Sequence, residues 1–311
     1  MPTRRKWQEY YDLPEIVEIR KLIKDTYSNK LVFLEEPHEY YLDGIQYDCV
    51  SHITHRFKPV STQELAHRCF LKGQRDPGYK YAGMSEEEII KLWEENSEKS
   101  CTFGTSVHEF GESMFYYMAG EDENILESCR DRFVNGIPCP QNELERAVVA
   151  FWNDIPDCMV PVLSETKVFN KLNPDGSGTA YAGTFDILFY YVEYPGSPKN
   201  GLVIFDYKTN GALTQNPFEK LRQNYNGTTL LAPFDDLLDC DESYYKLQLA
   251  CYQIPMENIG LKVIGRRIIW LHPDGTYEKI SEPDMSIRMR NALTILSREE
   301  KYNNYLISNG L

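Results

Sequence analysis

The sequence predicts an α/β fold with a mixed central β-sheet flanked by helices, and three observations lead to it. From residue 161 onward the order reads β-β-β-α-β. Residues 62 to about 160 read mainly as helix, and a further helix closes the chain near 284–307. Neither internal repeats nor a low-complexity tract interrupts this order. At 311 residues, the length suits one large domain or a domain with an accessory lobe. The expected division is a hairpin and helical region over 1–160, packed on a core over 161–311 as one compact unit.

The elements follow in order. Residues 7–28 carry Ile16, Ile19, Leu22 and Ile23 at helical spacing. In Glu39–Asp48, Asp43-Gly44 lies between two β-prone arms and tolerates the positive φ of a tight hairpin turn. Ser85-Glu-Glu-Glu88, ahead of Ile89, Ile90 and Trp93, fits a capping box in which hydroxyl and carboxylate satisfy each other's backbone amides. A second helix is expected over Thr105–Met118, burying Val107, Phe110, Met114 and Met118, and a third over 142–153. Pro161–Phe169 is the first core strand. A Pro174-Asp-Gly176 turn leads to the second, Ala180–Tyr191, and Pro195-Gly196 with Pro198 precede the third, Leu202–Tyr207. Ser243–Ile254 then reads as helix and Lys262–Leu271 as the fourth strand.

Composition narrows the function classes. The hydrophobic share is 42%, with 22 Tyr and 14 Phe adding partly apolar bulk, which argues against disorder of the whole chain. No run of about 18 apolar residues exists, so no membrane span or membrane partner is expected. The basic start, Met1-Pro-Thr-Arg-Arg-Lys-Trp7, runs into charge and does not read as a secretory signal, so a cytoplasmic address is expected. The 8 cysteines include no CxxC pair, so reduced thiols are expected and a thiolate metal site or iron–sulfur cluster is not. A net charge of −14 argues against a generic nucleic-acid-binding module, though an enzyme can gather positive charge in one groove.

Four segments carry candidate chemistry. In Val203-Ile-Phe-Asp-Tyr-Lys-Thr209, alternation along a strand sends Asp206 and Lys208 to one face at the end of an apolar run. Burying either charge alone costs several kcal/mol on an order-of-magnitude scale, so the pair needs partners or a metal; an ion pair at a strand end is the plain alternative. In Gly183-Thr-Phe-Asp-Ile-Leu-Phe189, Asp186 interrupts another apolar strand, and two carboxylates with one ammonium on adjacent strands suit a hard cation such as Mg²⁺. An Asp at a strand bulge is its plain alternative. In Phe103-Gly-Thr-Ser-Val-His-Glu-Phe-Gly-Glu112, His108 offers an imidazole and Glu112, one turn on, a carboxylate to orient it. In Tyr245-Lys-Leu-Gln-Leu-Ala-Cys-Tyr-Gln253, Gln248 and Tyr252 share a helix face that can hydrogen-bond a phosphate. Lys72, Arg75, Lys220, Arg222, Arg266 and Arg267 are candidate phosphate contacts, and Tyr79, Tyr81, Phe103 and Tyr116 candidate stacking groups. Solvated charge and core packing are the plain alternatives.

The ordered set Gly104-Thr105-x-x-His108-Glu109, Glu165-Thr166-Lys167-Val168, Gly183-x-x-Asp186, Asp206-x-Lys208 and Gln248-x-x-x-Tyr252 resembles the RecB-like branch of the PD-(D/E)XK nuclease superfamily. That branch includes phage exonucleases and mitochondrial genome maintenance exonuclease. The Asp43-Gly44 hairpin with Val50-Ser-His-Ile-Thr54 resembles the N-terminal portion of phage members, so the likeness spans about residues 35 to 272. It implies a restriction-endonuclease-like core and a Mg²⁺- or Mn²⁺-dependent deoxyribonuclease. It further implies an exonuclease on single-stranded DNA or duplex ends in recombination, repair or phage replication, without an iron–sulfur cluster, since the cysteines that hold one in some branches have no counterpart here. By the resemblance, His108, Asp186, Asp206 and the Tyr207 carbonyl would be metal ligands and Lys208 the catalytic lysine. Glu165 would be a supporting acid or a ligand to a second metal, and Thr105, Gln248 and Tyr252 would face substrate. DNA is the implied partner, with a recombination or replication protein as a further one. The rival readings are an endonuclease, a non-catalytic DNA-binding scaffold on the same fold, and an acidic interaction protein.

Overall fold

Where the chain's long apolar strands meet decides where its charged residues can gather. The computed structural model describes residues 6–34, 39–172, 178–210, 221–224 and 227–308. The Pro174-Asp-Gly176 turn and Lys220 lie outside the described residues. The sheet has eight strands: β1 (Leu31–Leu34), β2 (Glu39–Leu42), β3 (Ile45–Cys49), β6 (Met159–Asn170), β7 (Tyr181–Tyr191), β8 (Gly201–Lys208), β9 (Val263–Leu271) and β10 (Tyr277–Ser281). A separate two-residue hairpin is formed by β4 (Phe133–Val134) and β5 (Ile137–Pro138). The helices are α1 (Pro14–Ile23), α2 (Val50–His55), α3 (Thr62–Arg75), α4 (Glu86–Ala119), α5 (Glu143–Asn153), α6 (Asp241–Asn258) and α7 (Ser286–Ser308). The fold is thus α/β with a mixed sheet flanked by helices.

Strands run β1-β2-β3-β7-β8-β9-β10, with β6 on the other edge of β7. The β3–β7 and β8–β9 pairings are parallel and the rest antiparallel. The register along β7 has a consequence for chemistry. Tyr181 and Ala182 pair with β3, whereas residues 187–191 pair with β8. Both β3 and β8 lie opposite β6, which pairs with both stretches. Residues 183–186 therefore face a gap between two partners on the same edge, and Asp186 stands at its margin.

Local chemistry explains the elements. Asp43 and Gly44 both take positive φ, 53° and 79°, so the two-residue turn between β2 and β3 has the twist that a hairpin needs. Ser85 and Glu88 close the capping box in both directions, at 3.2 Å and 2.7 Å. Three expectations change. Residues 7–28 divide into a 3-10 turn (Lys6–Glu9), α1 and a π turn (Lys24–Ser28), because Pro14 lacks an N–H and starts a helix better than it continues one. The two helices expected after Ser85 are one helix of 34 residues, since nothing between Asn96 and Gly104 breaks it before Gly120 ends it at φ 79°. Strands β1 and β10 were not foreseen: each is short, and each completes an edge by pairing with a neighbour.

The main core runs through both halves of the chain, from Trp7 and Ile16 to Met289 and Leu293. Phe151 on α5 is its hub, with rings of Trp152, Phe189, Phe205, Tyr207 and Tyr277 within 6.3 Å of its centroid. A smaller cluster of Ala66, Tyr81 and Ile89 joins α3 to the first turns of α4. Among the described residues no helix is long and apolar enough to cross a membrane. Replacing Phe151 with Ala removes the hub of the layer beneath β8 and is expected to cost about 3–5 kcal/mol, read as a lower urea midpoint at unchanged slope.

Candidate metal centre

Gly111 lets α4 approach the end of β8: a Cβ there would lie 2.6 Å from the Tyr207 ring, whereas one on Gly104 would meet the Thr209 hydroxyl at an ordinary 3.5 Å. Seven residues apart, the two glycines lie on one face, with His108 between them. The helix can therefore settle against the strand end, and His108 reaches past it. Its Nδ1 stands 3.2 Å from Asp186 Oδ1 and 3.9 Å from Glu165 Oε1. One ligand atom from each of His108, Glu165 and Asp186 can be chosen so that all lie within 4.8 Å of one another, a donor set that could hold a metal ion. Two carboxylates and an imidazole suit Mn²⁺ and, through the oxygens, Mg²⁺.

Asp186 is 6% exposed and uses both oxygens. While Oδ1 faces His108, Oδ2 accepts the Tyr207 backbone N–H at 2.5 Å. This hydrogen bond stands just beyond Ile187↔Phe205, where the β7–β8 ladder stops. Glu165 is delivered by an irregular backbone. Its φ is +41°, a left-handed conformation inside β6, and the pairs on either side are Ser164↔Ile187 and Thr166↔Phe185. For a non-glycine residue that conformation costs about 1–2 kcal/mol. The Ser164 hydroxyl steadies the spot by donating to the Asp186 carbonyl at 3.0 Å.

Asp206 and Lys208 leave β8 on one face and form a buried ion pair. Asp206 does not enter the three-residue group of possible ligands; it turns to Lys208. The Lys208 ammonium also lies 4.3 Å from the centre of the Tyr245 ring on α6. Electrostatics follow from crowding acids out of water. Burial, with Asp186 adding to it, pushes Asp206 up to about 6, against the pull of Lys208. Burial likewise raises Glu165 to about 7, with Asp186 and Glu112 adding and His108 opposing. Asp186 is held low: burial opposes its charge, but His108, Lys208 and the Tyr207 N–H outweigh it. Burial disfavours charge on His108 too, yet Asp186 and Glu165 hold it well above its ordinary value. The metal-free cluster therefore keeps protons that a cation would displace.

Other expected residues fall less close to these groups. Glu112 accepts from Tyr116 at 3.2 Å, and the partners of the His108 imidazole are Asp186 and Glu165, so the expected Glu112–His108 support is replaced by strand carboxylates. Gln248 donates to the Tyr252 hydroxyl at 2.8 Å, and Tyr252 is buried. Thr105 is exposed on α4 and donates to the Cys101 carbonyl, as an unengaged helix threonine does. Of the candidate phosphate contacts, Arg222 is tied to Glu242 and Glu278, and Arg266 is buried against Gln253 and the Glu282 carbonyl. Tyr81 is core, in the small cluster. Tyr245 and Asn210 were not singled out from sequence as site residues, although both lie in the short segments around Lys208 and Gln248 that resemble phage members.

No family model matches the chain, and no curated protein does. A solved structure described as "Crystal structure of SSO0001" is similar at 12% identity over 61% of this chain and 74% of that one, with a TM-score of 0.24. A likeness of that size assigns neither fold nor activity.

Mn²⁺ binding, measured by calorimetry, is expected to tighten as pH rises from about 6 to about 8, because Glu165 and His108 must give up protons to become ligands. Glu165→Gln should weaken it by more than the roughly 10–100-fold that loss of an outer partner costs. Binding that is independent of pH would count against this donor set. Gly111→Val, whose side chain would enter the Tyr207 ring, should destabilise the fold by about 1–3 kcal/mol in urea unfolding.

Proposed function

We propose that this chain is a divalent-metal-dependent DNA nuclease of the PD-(D/E)XK superfamily, RecB-like branch, with a restriction-endonuclease-like core. The observation that supports this most is the convergence of the Asp186, His108 and Glu165 donors beside the Asp206–Lys208 pair, where β7 and β8 part. A structural ion pair explains Asp206 and Lys208 alone, but gives no reason for a second buried aspartate, a left-handed glutamate and an imidazole at the same strand end.

The donor set fits Mg²⁺ or Mn²⁺: oxygen ligands dominate, and the crowded acids retain protons that a cation would replace. His108, Glu165 and Asp186 would hold the ion, with Asp206 as a further oxygen donor by resemblance. Bound there, the ion would supply Lewis acidity toward a phosphodiester and lower the pKa of water. The protein's own groups do the rest. The Asp186 carboxylate is fixed in orientation by the Tyr207 N–H. Lys208, a buried ammonium held by Asp206, would offset negative charge growing on the phosphoryl oxygens. Gln248 donates to the Tyr252 hydroxyl, which holds the amide and the buried phenol together on one face of α6. The substrate we propose is single-stranded DNA or a duplex end, cleaved exonucleolytically.

The test is digestion of end-labelled single- and double-stranded DNA, with free and blocked ends, in Mg²⁺ and in Mn²⁺. Metal-dependent loss of label from free ends is expected, and EDTA should stop it. Asp206→Ala and Lys208→Ala should each abolish cleavage while leaving a cooperative unfolding transition. Cleavage of blocked or circular DNA would replace the exonuclease by an endonuclease, binding without cleavage would point to a scaffold, and an active Lys208→Ala protein would remove the mechanism.

A further inference from the structure

The Lys208 ammonium has two neighbours of different kinds. On one side is the Asp206 carboxylate, and on the other the face of the Tyr245 ring at 4.3 Å. Only the first was expected from the Asp206-x-Lys208 spacing. A cation over an aromatic face is attracted by the electron-rich ring surface, more strongly as water is withdrawn. The Lys208 side chain is 13% exposed, so this contact is largely withdrawn from water.

The ring is itself fastened. Tyr245 donates its hydroxyl proton to Asn210 Oδ1 at 2.6 Å. Asn210 in turn donates through Nδ2 to Asp241 Oδ2 at 2.7 Å, and its carbonyl accepts the Trp270 indole N–H at 2.9 Å. Three elements thus clamp Asn210: the first turn of α6, the end of β9, and β8 itself through the chain that runs on from Lys208. Tyr245 sits on α6 one turn past Asp241 and one before Gln248, so the clamp fixes the helix face that also carries the Gln248–Tyr252 pair.

We infer that Tyr245, anchored through Asn210, is a positioning residue for Lys208, holding its ammonium between the ring and Asp206. The inference rests on the nuclease reading for its catalytic consequence, but not for the contact itself. A lysine has four rotatable side-chain bonds, and an ion pair with Asp206 alone leaves several arrangements of the stem open. The ring favours those that keep the ammonium over its face. Loss of the ring should therefore act on the chemical step, which needs the ammonium in one place, and leave substrate binding nearly untouched.

Two readouts on the 311-residue chain test this. The first is NMR of the lysine ammonium groups in metal-free protein, with the Lys208 signal identified by its loss in Lys208→Arg. A proton above an aromatic face is shielded, so the unsubstituted protein should show one ammonium resonance displaced upfield from the other lysines. Tyr245→Leu should return it to their position, whereas Tyr245→Phe should keep the displacement but speed hydrogen exchange, since the hydroxyl tie to Asn210 is gone. An undisplaced Lys208 signal in the unsubstituted protein overturns the inference without any variant. So does a displacement that survives in folded Tyr245→Leu, or a Tyr245→Phe spectrum identical to the starting one. The second readout is steady-state cleavage of labelled DNA. Tyr245→Leu should lower kcat by about tenfold or more with KM changed by less than about twofold, and Tyr245→Phe should stand between it and the unsubstituted protein. A rise in KM at constant kcat would overturn the positioning role and make Tyr245 a substrate contact. If the unsubstituted protein cleaves no nucleic acid, the nuclease reading fails, and the ammonium spectrum still decides whether Tyr245 positions Lys208.

Discussion

The hydrogen bond from the Tyr207 backbone N–H to the Asp186 carboxylate is the interaction on which the rest of the site depends. Beyond Ile187↔Phe205 the β7–β8 ladder ends, and the Tyr207 N–H takes a side-chain acceptor. A carboxylate serves because it can satisfy that donor with one oxygen and still offer the other. That other oxygen faces His108. One residue therefore joins a strand end to the cluster of candidate ligands. Changing it to a hydrophobic residue would orphan a buried amide as well as remove a partner of His108.

Around that bond, three layers contribute at different cost. The helix layer approaches because Gly111 presents no side chain to the Tyr207 ring on β8, which brings His108 within reach. The sheet layer contributes Glu165 through a left-handed residue inside β6, an unfavourable backbone conformation kept where acids crowd together. The α6 layer contributes Tyr245 against Lys208. Each element is ordinary by itself. They meet where the β7–β8 ladder stops, with Asp186 between Glu165 on the β6 side and the Tyr207 N–H on the β8 side.

Much of this was legible in the sequence, for definite reasons. Continuous apolar runs bounded by turn residues marked the long strands, and Asp186, Asp206 and Lys208 stood out because they interrupt or end those runs. Asp43-Gly44 and Ser85–Glu88 are local signals that later packing did not override. Three things were hidden. The single helix over Glu86–Ala119 crosses a polar, weakly periodic stretch with no breaker, and tertiary support at both ends carries it through. The grouping of Glu165 with His108 and Asp186, while Asp206 turns to Lys208, depends on a backbone φ that no spacing encodes. The Tyr245–Asn210 clamp joins residues 35 apart in sequence through their side chains, beyond the reach of periodicity.

The central claim is that a divalent cation belongs among His108, Glu165 and Asp186. Diffraction from crystals soaked in Mn²⁺, recorded at a wavelength where manganese scatters anomalously, addresses it most directly. An anomalous peak within about 2.0–2.3 Å of a His108 nitrogen and of Glu165 and Asp186 oxygens is the predicted result. A fully soaked crystal with no peak there, or with manganese bound only elsewhere, would contradict it.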